Sequence, residues 1–174
     1  MTLRTGAGKL YAAQGPQISF TACTDAMDMA AVRDILRDYA STLGVDLCFQ
    51  SFESELASLP GDYAAPRGTL LTAKVDGQLV GCCAIRPLDA ADYPNACEMK
   101  RLYTRPKFRG HGLGRSLAQA ALDFALTSGY DCVLLDTLSD MEAARALYED
   151  LGFEEIPPYY HNPIAGAHYL KVQL

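Results

Sequence analysis

Apolar residues follow two periodicities along the chain, and the switches between them mark its elements. From Gln17 to Cys23 apolar and polar positions alternate as in a strand. Asp28 to Leu43 instead sets Val32, Ile35, Leu36, Tyr39 and Leu43 at helical spacing ahead of Gly44, a helix terminator. Phe49 to Leu59 reads as a second short helix stopped by Pro60-Gly61, and Asp62 to Gly68 as a loop. Two apolar runs, Thr69 to Val75 and Gln78 to Arg86, flank Asp76-Gly77, a dipeptide suited to a two-residue hairpin turn. Ala96 to Thr104 is a further strand. Beyond it Leu113, Leu117, Ala121, Phe124 and Ala125 mark one face of a helix closed by Gly129, and Cys132-Val133-Leu134-Leu135 is apolar on both faces, as in a parallel strand. Strand, glycine-rich turn, helix and strand then make a crossover unit. Ser139-Asp140-Met141-Glu142 has the spacing of a capping box before a helix with Ala144, Leu147, Tyr148 and Leu151 on one face and Gly152 at its end. Phe153 to Ile156 and His168 to Leu174 complete the strands.

No repeat, low-complexity tract or linker divides this pattern, so residues 17–174 are expected to form a single α+β domain on a mixed sheet, with 1–16 a flexible lead-in. At 174 residues and 49% hydrophobic content the chain can build a core without staples. No apolar run approaches the roughly 18 residues of a membrane span, and Met1 to Lys9 lacks a signal-peptide core. A soluble, cytoplasmic protein with no membrane partner is the expectation. The six cysteines include no Cys-x-x-Cys pair and lie mostly in apolar runs, which argues against a disulfide framework or a metal site. A net charge of −6 argues against nucleic acid as a partner. The charge is unevenly spread: Lys100, Arg101, Arg105, Lys107, Arg109 and Arg115 fall in one stretch without an acidic residue, a natural place for a small anionic ligand.

That stretch contains Arg109-Gly110-His111-Gly112-Leu113-Gly114 at a strand-to-helix junction. Glycines there leave backbone N–H groups and the positive end of a helix free to bind phosphate. The glycine spacing is not that of the Rossmann fingerprint, and the Gly-Lys-Ser/Thr of a P-loop is absent. The loop resembles the coenzyme motif Arg/Gln-x-x-Gly-x-Gly/Ala of the GCN5-related N-acetyltransferase (GNAT) superfamily. Leu102-Tyr103-Thr104-Arg105-Pro106 precedes it and Arg115-Ser116-Leu117 follows, as in many members. A second block from Ala143 to Phe153 is similar to the family's Ala-x-x-Leu-Tyr-x-x-x-Gly-Phe segment. Met141 stands where the family often has Asn.

The resemblance implies a three-layer α/β/α fold with a mostly antiparallel central sheet and helices on both faces. It implies acetyl-CoA as acyl donor, bound by Leu102, Tyr103, Thr104, Arg109, Gly110, His111, Gly112, Leu113, Gly114, Arg115 and Ser116, with main-chain N–H groups of Leu102 to Thr104 polarising the carbonyl. It also implies Glu98 as general base and Tyr148 as the acid that protonates the leaving thiolate. A phenol, with an ordinary pKa of about 10, suits that task. Glu98 has a structural alternative, pairing with Lys100 on the same strand face, and Tyr148 has one as a core aromatic. His111 is expected to face solvent. The Tyr159 to Asn162 loop, with His161, is either an acceptor-pocket wall or a rigid surface loop. The function implied is acetyl transfer, without a covalent cysteine intermediate, to a primary amine of a small molecule, amino acid or peptide. A non-catalytic acyl-CoA-binding module is the alternative, and a homodimer is left open.

Overall fold

The computed structural model describes residues 15–89 and 92–174, apart from the side chain of Phe49. The expected lead-in over 1–16 lies outside the described residues, save 15 and 16. The chain runs β1(Ile18–Ala22), α1(Ala26–Leu43), α2(Phe52–Ser58), β2(Thr69–Val75), β3(Gln78–Leu88), β4(Ala96–Thr104), α3(Leu113–Thr127), β5(Cys132–Leu138), α4(Glu142–Asp150), β6(Glu154–Ile156) and β7(Ala167–Gln173). The seven strands form one sheet in the order β1-β2-β3-β4-β5-β7-β6. Every pairing is antiparallel except β4 with β5, where the α3 crossover demands a parallel pair.

Alternation along the strands divides the core into two layers. Val80, Cys83, Ile85 and Val133 meet Leu117, Ala121 and Ala125 of α3 on one face. On the other, Leu79, Cys82, Ala84 and Tyr103 meet Val32, Ile35 and Leu36 of α1 and Leu56 of α2. Full burial of a side chain such as Val32 or Leu117 contributes about 1.5–3 kcal/mol. The result is the three-layer arrangement with helices on both faces. Asp76 and Gly77 turn the β2–β3 hairpin at φ 50° and 81°, left-handed values that Asp and Gly tolerate well.

Two irregularities of β4 position everything that follows. Its pairing with β3 steps from Cys82↔Tyr103 to Ala84↔Lys100, so Arg101 and Leu102 together stand opposite Cys83, a β-bulge with Arg101 at φ 61°. Its pairing with β5 stops at Glu98↔Leu134, and the strands part beyond it. From Met99 to Thr104 the edge of β4 that faced β5 carries no strand.

One expected feature does not form. Ser139 does not cap α4: its hydroxyl bonds the Gly166 carbonyl at 3.0 Å and His168 Nε2 at 2.8 Å, and the helix opens at Met141 without a side-chain cap. The β7 strand competes for the same hydroxyl and wins.

Candidate active site

Two cavities lie where β4 and β5 part. The larger, about 530 Å³, runs along the glycine loop and is lined by Leu102, Tyr103, Thr104, Arg109, Gly110, Gly112, Leu113 and Gly114, with α1 and the start of α4 as its other walls. Its floor is the N-terminus of α3, which has no side-chain cap; the first helical bond there is Ser116 N–H to the Gly112 carbonyl. The N–H groups ahead of it are free donors at the positive end of a helix dipole. Gly110 and Gly112 hold φ 82° and 75°, and a Cβ on either would meet nothing within 4 Å, so the cradle has room for a diphosphate. The Thr104 hydroxyl, buried and without a partner among the described residues, lies at the same place.

The basic stretch is divided rather than pooled. Arg109 donates to the Thr104 carbonyl at 2.9 Å and stacks over Tyr103, Arg105 pairs with Asp38 at 3.0 Å, and exposed Arg115 pairs with Asp150 at 2.7 Å. His111 is exposed, its Nδ1 3.0 Å from the Arg109 carbonyl. His111, Arg115 and Ser116 stand outside the lining of the large cavity. Lys100 and Arg101 lie outside that lining.

These two residues meet the second cavity, about 50 Å³, walled by Gln50, Lys100, Arg101, Asp136, Tyr148 and Asn162 among others. Tyr39, Leu43, Leu102 and Met141 line both cavities, so the two adjoin at the gap between β4 and β5. Arg101 is locked by Glu55, with Nε to Oε1 at 3.0 Å and Nη2 to Oε2 at 2.7 Å, and its guanidinium lies 5.2 Å from the centre of the Phe52 ring. Burial alone would raise the Glu55 carboxyl, but the hydrogen bonds and charge of Arg101 and the Tyr63 hydroxyl outweigh it and hold Glu55 below its ordinary range. Tyr148 projects from α4, packs edge-on against Phe153 at 5.6 Å and makes no hydrogen bond to a described residue. Burial pushes its phenol up, so it stays protonated at neutral pH.

Glu98 is in its paired form, and the main partner is not Lys100. Arg86, its cross-strand neighbour on β3, donates through Nε and Nη2 to Oε2 at 2.8 and 2.7 Å, and Tyr159 donates to Oε1 at 2.8 Å. Lys100 Nζ is 3.9 Å away. Both carboxylate oxygens are engaged, the residue is 1% exposed, and it lines neither cavity.

The carboxylate that does line the small cavity is Asp136, on β5 just past its apolar run. Its Oδ2 accepts from Tyr160 at 2.8 Å and Asn162 at 3.2 Å, while Oδ1 accepts from no described residue. Tyr159 and Tyr160 pack edge-on against Tyr169 and tilted against each other at centroid distances of 5.4–5.5 Å, and Asn162 of the same loop lines the small cavity. His161 is exposed and borders only a shallow outer depression. Sequence reasoning missed Asp136, Gln50 and the cavity-facing Lys100. A usable signal existed for Asp136, since ligands gather at the carboxyl ends of parallel strands.

Burial pushes the Cys82 and Cys97 thiols up to about 12, and Cys83 is raised for the same reason. None of the three is poised as a nucleophile.

Comparison with known proteins agrees with this geometry. The profile of the acetyltransferase (GNAT) family matches residues 29–153. An "Uncharacterized N-acetyltransferase" of Schizosaccharomyces pombe is 36% identical over 90% of this chain and 95% of its own length. Human N-acetylaspartate synthetase is 32% identical over 67% of this chain, which spans only 38% of that protein. Among solved structures, a Streptococcus agalactiae acetyltransferase superposes with TM-score 0.74 at 21% identity, covering 90% of this chain and 98% of that one. The Salmonella typhimurium yncA structure with its cofactor acetyl-CoA has TM-score 0.61 at 22% identity, covering 90% and 93%. The chain belongs to the GNAT acetyltransferase family and is an acyl-CoA-dependent N-acyltransferase.

Proposed function

We propose that the protein transfers an acetyl group from acetyl-CoA to a primary amine by direct attack, with the coenzyme in the large cavity and the acceptor in the small one. The observation that carries this reading is the meeting of the two cavities at the parting of β4 and β5. One side offers uncapped main-chain donors for phosphate, and the other offers a phenol and a free carboxylate oxygen. When bound, acetyl-CoA supplies a thioester carbonyl carbon and a thiolate leaving group. The chain's own residues do the rest. The uncapped N–H groups ahead of Ser116 take the diphosphate, and the strand-free edge of β4 from Leu102 to Thr104 presents N–H groups to the carbonyl oxygen as its charge grows. Asp136 Oδ1 takes a proton from the acceptor ammonium and passes it to water, leaving a neutral nitrogen. As the C–N bond forms and the C–S bond breaks, Tyr148 protonates the thiolate. The second proton shed by nitrogen restores the phenol. The same burial that raises the phenol raises a thiolate formed beside it, so both partners in that transfer shift together.

Glu98 holds Tyr159 and Arg86 and so keeps the aromatic loop against the site; the geometry favours Asp136 over Glu98 for the proton. The test is thiol release from acetyl-CoA against a panel of primary amines, with the amide product identified by mass spectrometry. Coenzyme binding with no amine-dependent release would favour the non-catalytic alternative. A stoichiometric acetyl adduct on Cys82, Cys83 or Cys97, discharged by amine, would replace direct transfer with a covalent route.

A further inference from the structure

Lys100 is 8% exposed, lines the small cavity and donates no hydrogen bond to any described residue; its nearest carboxylate, Glu98, is 3.9 Å away and already engaged by Arg86 and Tyr159. A buried ammonium with unfilled donor positions is costly unless a ligand fills them. Its neighbour Arg101 cannot fill that need, being a cation itself and ion-paired with Glu55. Two further groups in the same cavity are incomplete. Asp136 Oδ1 takes no hydrogen bond from the described residues, and the Gln50 carboxamide donates to the Tyr160 hydroxyl at 3.4 Å while its buried oxygen has no partner among those residues. The unfilled set is therefore a cation, an anion and an amide, facing one small space. Burial pulls Lys100 below its ordinary value, and an anionic ligand beside it would reverse that shift.

We infer that the acceptor is a small free amino acid whose carboxylate sits on Lys100 while its amino group sits on Asp136, with Gln50 bonding whichever end is nearer. This rests on the acetyl-transfer reading for which nitrogen is modified, but not for the binding itself. The cavity's size and its wall of Gln50 and Asn162 favour a free amino acid over a peptide terminus. An amine without a carboxylate leaves Lys100 as incomplete as before, so specificity comes from a buried cation with unfilled donor positions rather than from shape.

The experiment is a calorimetric titration of the full chain, alone and with saturating coenzyme A. The probes are L-alanine, L-serine and L-aspartate, each against its α-amide, on wild type, Lys100→Met and Lys100→Arg. The amide should bind at least about tenfold more weakly than the acid in wild type, since one charge-assisted bond is lost. Lys100→Met should erase that difference and Lys100→Arg restore most of it. Equal binding of acid and amide, absence of acid binding in both states, or a difference that survives Lys100→Met would overturn the inference and leave Lys100 as a partner of Glu98 alone. If Lys100→Met does not fold, the wild-type comparison and Lys100→Arg still decide. Thiol release measured in parallel separates the two readings. Acid-selective binding without release would break the acetyl-transfer reading and keep the site, whereas release indifferent to the carboxylate would do the reverse.

Discussion

The two cavities that adjoin at the gap between β4 and β5 are built from different materials. The coenzyme side is made of backbone: three glycines, an uncapped helix end and a strand edge with no neighbour. The acceptor side is made of side chains drawn from α1, α4, β4, β5, the turn around Gln50 and the loop before β7, with Arg101 held by Glu55 and Asp136 by Tyr160 and Asn162. Backbone recognition needs only a few small residues at fixed spacing, so it survives wide change elsewhere in the chain. Side-chain recognition needs residues far apart in sequence, and it can differ between two proteins with the same coenzyme loop.

The largest effects should fall on the acceptor side. Asp136→Asn and Tyr148→Phe should each lower kcat by about a hundred- to ten-thousand-fold with coenzyme affinity nearly unchanged. Asp136→Asn should recover as alkaline solution deprotonates the amine unaided, and Tyr148→Phe should not. A pH–rate series on both variants checks this; matching profiles would mean that neither residue moves the proton assigned to it.

Next comes the scaffold beneath the acceptor side. Glu55→Gln leaves Arg101 buried without its counter-charge, which should cost about 3–5 kcal/mol in urea denaturation. Because Glu55 is held below its ordinary range when folded, it stabilises the protein above that range. The contribution is lost as pH falls through the folded value. The variant should therefore show a flatter acid limb than wild type, and an equally steep one would remove Glu55 from the acid response.

The smallest effect tests the coenzyme side. Valine at Gly112 must adopt φ near 75°, a strain of about 1–3 kcal/mol that shifts the loop. Coenzyme Kd should rise by about tenfold or more while the protein stays folded. Unchanged affinity by calorimetry would show that the loop does not carry the diphosphate.

This division also explains what could be read from the chain beforehand. The strands, the Asp76-Gly77 hairpin, the β4–α3–β5 crossover and the glycine loop are local patterns, and each is found within a residue or two of its expected place except β5, which runs three residues past its apolar run to Leu138. Ser139 misled because a capping box looks only at near neighbours, while its hydroxyl is claimed by Gly166 and His168. Glu98 was legible as a paired carboxylate, but Arg86 becomes visible only once the β3–β4 register is known. Asp136 and Gln50 carry no motif, and only the parting of β4 from β5 brings them to one cavity. The bulge at Arg101, which shifts the facing of β4 by one residue, has no sequence signature in an arginine.

The claim on which the rest depends is that the coenzyme in the large cavity and the acceptor in the small one meet at the β4–β5 gap. A crystal structure with a bisubstrate analogue, coenzyme A joined through an acetyl bridge to the nitrogen of L-alanine, tests it directly. The diphosphate should lie on the free N–H groups ahead of Ser116, the bridge beside Leu102 and Tyr148, the alanine nitrogen near Asp136 Oδ1 and its carboxylate on Lys100. An alanine seated instead in the outer depression beside His161, with the small cavity empty, would contradict the account.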